Sequence, residues 1–314
     1  MDLFSSKPYT IKRCCRIQTM KHISCHYCSS SHTKMYLPVD GVYALYICTA
    51  CSLVFTHPRP RLAAIGHVND QKYDSDDEKE SRLAMYEKEY TRAKNHVLEI
   101  QKYVVSGTLL DIGCSYGICV KAANDLGFDA SGIEPARHAA AYAKKVLHVH
   151  VFQTTIQKAH IKSNSFDVIT LYDVLEHIPD IKSFLKEIRR ILKPNGLLVV
   201  QSPNIESFAA RILKTRWNWL LIPHHLWHFT PTSLLRVLIN EKFTVIDTLT
   251  EDNVFDFSSN YKSTIALPIF SSGIIFKIIR KLIAMSAFLI IRVGTHVWAT
   301  LGKGGIIRMY ARKN

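Results

Sequence analysis

Strand-like apolar runs and helix-periodic segments alternate from Thr108 to Leu249, and this alternation constrains the fold more than any other feature. TLLDIG (108–113) reads as a buried strand and 116–126 as a helix. DASGIE (129–134) reads as a strand and 136–146 as a helix. FDVITLY (166–172) is a strand, followed by a helix over 181–192 and a strand at GLLVVQS (196–202). Segment 231–241 is a helix opened at Thr230–Pro231, because proline suits the first helical position. FTVIDTL (243–249) and IIRMYA (306–311) supply two more strands. Apolar strands separated by helices need crossover connections, which predicts a mainly parallel, doubly wound α/β sheet.

The chain has 314 residues, room for a core of about 150–200 residues and a small accessory element. With 47% hydrophobic and 21% charged residues, a globular fold is expected rather than disorder. The net charge of +14 suits a phosphate-bearing partner: nucleic acid, an anionic membrane surface or a nucleotide-linked substrate. It equally suits a merely soluble basic protein. The first twenty residues lack an apolar stretch of signal-peptide length, and Met20 is an alternative start. No uncharged apolar run reaches 18 residues, so a simple spanning helix is not expected.

In LLDIGCSYG a buried strand ends and a helix opens, with glycines that let the backbone turn tightly and approach a ligand. Asp111, at the strand end, suits a cationic group rather than a phosphate. The second strand ends in SGIEP, where Glu134 is placed to accept both hydroxyls of a ribose. Those two features alone leave a dinucleotide-binding dehydrogenase open. The stretch SFDVITLYDVLEHIPDIKSFLKEIRRILKPNGLLVVQSPN narrows the choice.

With the glycine turn, this stretch resembles the class I S-adenosylmethionine (SAM)-dependent methyltransferases, whose first motif usually reads D/E-x-G-x-G-x-G. Asp111, Gly113 and Gly117 match it, Cys114 lies within it, and Ser115 replaces the middle glycine. The resemblance spans about residues 108–250. It implies a Rossmann-like methyltransferase sheet, SAM as cofactor, and Leu171 and Tyr172 lining the methionine part of the cofactor site. Asn195 stands where the family has a glycine and tolerates the same left-handed backbone.

The eight cysteines do not read as a disulfide framework, and a reducing cytoplasm is expected. Cys25, Cys28, Cys48 and Cys51 form two C-x-x-C pairs separated by 19 residues. Each pair offers two thiolates from one tight turn, and together they predict a closed, structural zinc site. Ser29 and Ser52 stand where such knuckles often have glycine. With Tyr73, the pattern CHYC…YALYICTACSLVFTHPRP resembles zinc-ribbon methyltransferases of sugar, polyketide and cell-surface glycan pathways. That implies a small-molecule acceptor, a sugar, glycan precursor or lipid-linked intermediate methylated on oxygen or carbon. Some rRNA methyltransferases also carry an N-terminal zinc ribbon, so an RNA acceptor is the alternative and nucleic acid the less favoured partner.

His224, His225 and His228 follow the fifth strand, where loops cover the mouth of a doubly wound sheet. Histidine suits general-base work near neutral pH, and His225 and His228 are the preferred candidates. The same histidines could instead pack a lid with Trp217, Trp219 and Trp227. Asp173, Glu176 and His177 resemble the E-x-x-E-H set with which ubiquinone-pathway O-methyltransferases can hold a divalent cation, although Asp173 replaces the first glutamate. Packing at a helix start is the alternative.

The expected domains are an extension (1–20), a zinc ribbon (21–60), a connector and helix (61–104), the methyltransferase core (105–251), an apolar helical insertion (252–303) and the last core strand (304–314). Lys277, Arg280, Lys281 and Arg292 give the insertion a basic stripe on an apolar background. A helix of that kind packs on the catalytic domain or on a second copy as a homodimer, or lies peripherally on a membrane surface.

Overall fold

The computed structural model describes residues 23–60, 86–251 and 297–314. The extension at 1–20, the connector at 61–85 and most of the apolar insertion, 252–296, lie outside the described residues.

Two sheets organise the described residues. Strands β1 (Thr33–Pro38), β2 (Ala44–Cys48) and β3 (Val54–His57) form an antiparallel meander around the cysteine pairs. A short strand from far along the sequence, β9 (Trp227–His228), joins that sheet beside β3. The second sheet contains β4 (Gly107–Ile112), β5 (Phe128–Ile133), β6 (His150–Phe152), β7 (Phe166–Tyr172), β8 (Leu192–Pro203), β10 (Phe243–Glu251) and β11 (Ile306–Lys313). Its order is β10-β11-β8-β7-β4-β5-β6, and β11 alone runs antiparallel to its neighbours.

Helices α1 (Tyr86–Gln101), α2 (Ile118–Asp125), α3 (Arg137–Lys145), α4 (Ile181–Ile191) and α6 (Pro231–Asn240) flank this sheet, while α5 (Phe208–Leu213) packs with Leu45 and Val54 of the smaller one. Alternation along the strands divides the core. Leu109, Val168, Leu197, Val199 and Tyr310 pack with α1, α2 and α3. Leu110, Ile169, Leu198, Val200 and Met309 pack with α4, α6 and the cysteine module. The result is the expected doubly wound α/β/α arrangement, with the ribbon seated on the α4–α6 face.

Local chemistry explains the boundaries. Asp180 caps α4 by accepting the Ser183 N–H at 3.1 Å, and Thr230 and Ser233 form a reciprocal capping box at α6. Strand β8 starts at Leu192 rather than at 196, because Leu192 already pairs with Phe166 of β7. Asn195 takes a φ of 57°, as the glycine position requires. Sequence periodicity did not indicate β6, β9 or α5. Residues 297–300 are helical, and no helix among the described residues is long and apolar enough to cross a membrane.

Candidate active site

The strand order reverses between β4 and β7, which opens a crevice beyond their carboxyl ends. The glycine turn lies there. Gly113 has φ 73°, Ser115 φ 50° and Gly117 φ 78°. A Cβ on Gly113 would approach Val174 Cγ2 to 2.6 Å, so glycine is needed for β7 and the turn to meet. Ser115 adopts the left-handed backbone that its family position demands. The Cys114 thiol is folded onto Gly132, where an added Cβ would lie 2.4 Å from its Sγ. Cys114 can therefore offer a ligand its backbone, not its thiol.

Glu134 closes the crevice from the end of β5. Its Oε2 accepts the Ser115 N–H at 2.9 Å and its Oε1 accepts the Ala136 N–H at 2.8 Å. A carboxylate oxygen has two lone pairs, so each retains acceptor capacity for a hydroxyl. Asp111 is buried and its Oδ1 accepts the Thr170 hydroxyl at 2.6 Å. Burial first, then the charge of Glu134, raises the Asp111 carboxyl to about 7.

A polar row crosses the sheet from Asp111. Asp111 pairs with Thr170, Tyr172 with Gln201, and Gln201 with Arg308 in strand register. The Tyr172 ring stacks on His96 of α1 at 4.9 Å, and its buried hydroxyl has no hydrogen-bond partner among the described residues. Leu171 turns to the opposite face and packs in the α4 core. Arg308 is 1% exposed. It donates to Gln201 Oε1 at 2.8 Å, to both Glu251 oxygens, and to His96 Nε2 at 2.7 Å. Since a guanidinium only donates, His96 must accept, and burial together with Arg308 holds its pKa far below the usual range. An arginine inside the apolar run IIRMYA was the available signal for this buried network, and sequence reasoning passed over it.

Gln201 in turn donates to Asp173 Oδ2 at 3.0 Å. Asp173 has φ 57°, a left-handed conformation that costs about 1 kcal/mol or more outside glycine. Its Oδ1 is buried without a partner among the described residues, and so is Oε1 of Glu176, whose Oε2 accepts the Ser202 hydroxyl at 3.1 Å. Burial raises both carboxyls, and the charge of Asp173 raises Glu176 further. Ligand atoms of Glu176, His177 and His225 lie within 4.8 Å of one another.

His225 and His228, the candidate bases, have different surroundings. The His225 ring packs on His177 at 4.6 Å. Burial, reinforced by His177 and His228, keeps His225 well below the ordinary imidazole range. His228 turns towards the ribbon, with Nε2 3.0 Å from Thr56 Oγ1. The single proton of Thr56 goes to the His225 carbonyl at 2.7 Å, so His228 Nε2 must donate and is unavailable as a proton acceptor. Burial, then Arg59, lowers His228 to about 3.

In the ribbon, Sγ of Cys25 lies 3.6 Å from that of Cys51, and Sγ of Cys28 lies 3.6 Å from that of Cys48. A zinc tetrahedron with bonds of about 2.3 Å has edges of about 3.8 Å, so the four sulfurs fit one. They are too far apart for disulfides. Ser29 and Ser52 take φ 61° and 65°, the knuckle conformation that glycine usually supplies.

The sheet order, glycine turn and acidic residue at β5 define a class I SAM-dependent methyltransferase. The family described as "Methyltransferase domain" matches residues 84–248, more than half of the chain, and the chain belongs to it. Among its relatives is a ubiquinone biosynthesis O-methyltransferase of Bradyrhizobium diazoefficiens, 31% identical over 150 residues, covering 44% of this chain and 59% of the relative. The corresponding enzyme of Rhodopseudomonas palustris is 32% identical over 152 residues, with the same two coverages. The match thus spans less than two thirds of these relatives' length. A chain from the complex between the Haloferax volcanii Trm112 methyltransferase activator and a methyltransferase shares the fold. It has a TM-score of 0.52 at 13% identity and covers 77% of this chain and 96% of that one.

Proposed function

We propose that this protein transfers the methyl group of SAM to a hydroxyl of a small-molecule acceptor, a sugar, glycan precursor or lipid-linked intermediate. The observation that carries this reading is a pair of buried carboxylate oxygens without a partner among the described residues, Asp173 Oδ1 and Glu176 Oε1, with ligand atoms of Glu176 and His225 within 4.8 Å of one another. A hydroxyl needs such acceptors to be oriented and to lose its proton. O-methylation is also the activity in the relatives' names.

In this reading Glu134 holds the ribose, Asp111 faces the amino group of the methionyl part, and Tyr172 supplies its free hydroxyl along the same wall. SAM supplies an electrophilic methyl on a sulfonium. The acceptor oxygen forms the new bond to carbon as the carbon–sulfur bond breaks, leaving a neutral thioether. His225 takes the hydroxyl proton, and the raised carboxyls of Asp173 and Glu176 hold the acceptor by hydrogen bonds. We further assign a structural zinc to Cys25, Cys28, Cys48 and Cys51, with all four coordination positions filled by protein.

The test is single-turnover transfer from methyl-labelled SAM to a panel of nucleotide sugars, polyprenyl-linked sugars and phenols. Label appearing as a methyl ether, and lost in His225→Ala, is the expected result. Label on nitrogen or carbon alone would overturn the hydroxyl assignment.

A further inference from the structure

A zinc ribbon appended as a binding module would leave its sheet edge and loops open to a partner. Here the edge of β3 is occupied by β9, which the core supplies from the loop carrying the candidate base. Val54 pairs with His228 and Phe55 with Trp227. The Thr56 N–H donates to the Leu226 carbonyl at 3.0 Å, and the Leu226 N–H donates to the Glu176 carbonyl at 2.8 Å. Trp227 Nε1 donates to the Ile178 carbonyl at 2.6 Å, and His177 Nδ1 donates to the His224 carbonyl at 3.0 Å. The loop 224–228 is therefore strung between the ribbon on one side and the 3₁₀ turn Leu175–His177 on the other.

Thr56 sits at the junction and is fully buried. Its hydroxyl holds the His225 carbonyl and receives the His228 Nε2–H, using its one proton and one of its lone pairs. Nearby, the Arg59 guanidinium lies 4.0 Å above the Trp227 ring, Tyr27 donates to Glu241 at 3.0 Å, and Arg236 donates to Ser52 at 2.7 Å. The cofactor crevice takes none of its named residues from the ribbon.

We infer that the ribbon is a fixed wall of the acceptor site, and that Thr56 is the positioning residue through which it sets His225 against Glu176 and His177. This rests on the proposed role of the His225 pocket as the acceptor site. Replacing Thr56 by valine removes both hydroxyl bonds at nearly constant volume, whereas serine keeps them. Loss of the metal loosens the turns that carry β2 and β3, so it reaches His225 by the same route.

The experiment uses the full chain, zinc-loaded, with nitrogen-labelled histidine, and reads ring resonances assigned with His225→Asn and His228→Asn. In Thr56→Val both ring signals should move, and in Thr56→Ser both should return. Affinity for S-adenosylhomocysteine should stay within about twofold, as expected for sites without shared partners. Chelating the zinc of the wild-type protein should move the His225 signal while leaving that affinity in place. Unmoved His225 and His228 signals in a Thr56→Val protein that still binds S-adenosylhomocysteine would overturn the inference. So would an unmoved His225 signal after chelation, which decides the matter alone if Thr56→Val does not fold. Failure of the wild-type protein to bind S-adenosylhomocysteine would instead overturn the cofactor reading, and the ring signals would still report the coupling.

Discussion

Glu134 accepts the backbone N–H of Ser115 at 2.9 Å, tying the end of β5 to the glycine turn that follows β4. In the proposed function this carboxylate holds the ribose. Removing a hydrogen bond to a charged acceptor costs about 1.5–3 kcal/mol. The 2′-deoxy analogue of S-adenosylhomocysteine should therefore bind more weakly than the parent compound to the wild-type protein, and about equally in Glu134→Ala. A calorimetric double-mutant cycle measures this, and a discrimination that survives in the variant would remove Glu134 from ribose recognition.

Asp111 should make cofactor affinity depend on pH. Its carboxyl is raised to about 7 by burial, and a cationic amino group binds the ionised form. Below that value the free protein must release a proton to bind, so affinity falls by about tenfold per pH unit and is flat above it. Asp111→Asn should bind weakly at every pH and lose the slope. Titrations with S-adenosylhomocysteine between pH 5 and 9 would show either this slope or a flat line that excludes the role.

Each chain should carry one zinc. Cys48→Ser should lose it, because the remaining three thiolates no longer close the tetrahedron. Amide exchange should then rise in the ribbon strands more than in β4, β7 and β8, since a closed site contributes its binding energy to local folding. Elemental analysis finding no zinc in protein purified without chelator would contradict the assignment.

The two histidines should separate by phenotype. His225→Ala should cut turnover by about 10²–10⁴, the range for losing a general base, with cofactor affinity nearly unchanged. His228→Ala should leave Thr56 with an unfilled buried acceptor and lower stability by about 1–3 kcal/mol. Burial holds His225 neutral, so the acid limb of the rate should lie below the ordinary histidine range. A His228→Ala protein of normal stability and lost turnover would reverse the two roles.

The alternation of strands with helices carried the sheet, because parallel strands are apolar on both faces and their crossovers are long enough to show helical spacing. Asp111, the glycines and Glu134 were legible because their spacing is local to one βαβ unit. The partnership of Thr56 with His228 was not, because the residues are far apart in sequence and β9 has only two residues, too few for a periodic signal. The donation of His228 Nε2 to the ribbon is concealed for the same reason. The stacked His96 and Tyr172, and the Arg308–Gln201–Asp173 chain, likewise depend on register between elements that no local pattern encodes.

Calorimetric titration of the purified chain with S-adenosylhomocysteine, alongside Asp111→Ala, Glu134→Ala and the double variant, tests the account's central claim most directly. One site per chain is expected, with affinity reduced by about 1.5–3 kcal/mol in each single variant and further in the double variant. No binding by the wild-type protein, or equal binding by all four proteins, would contradict a cofactor site built from the glycine turn and Glu134.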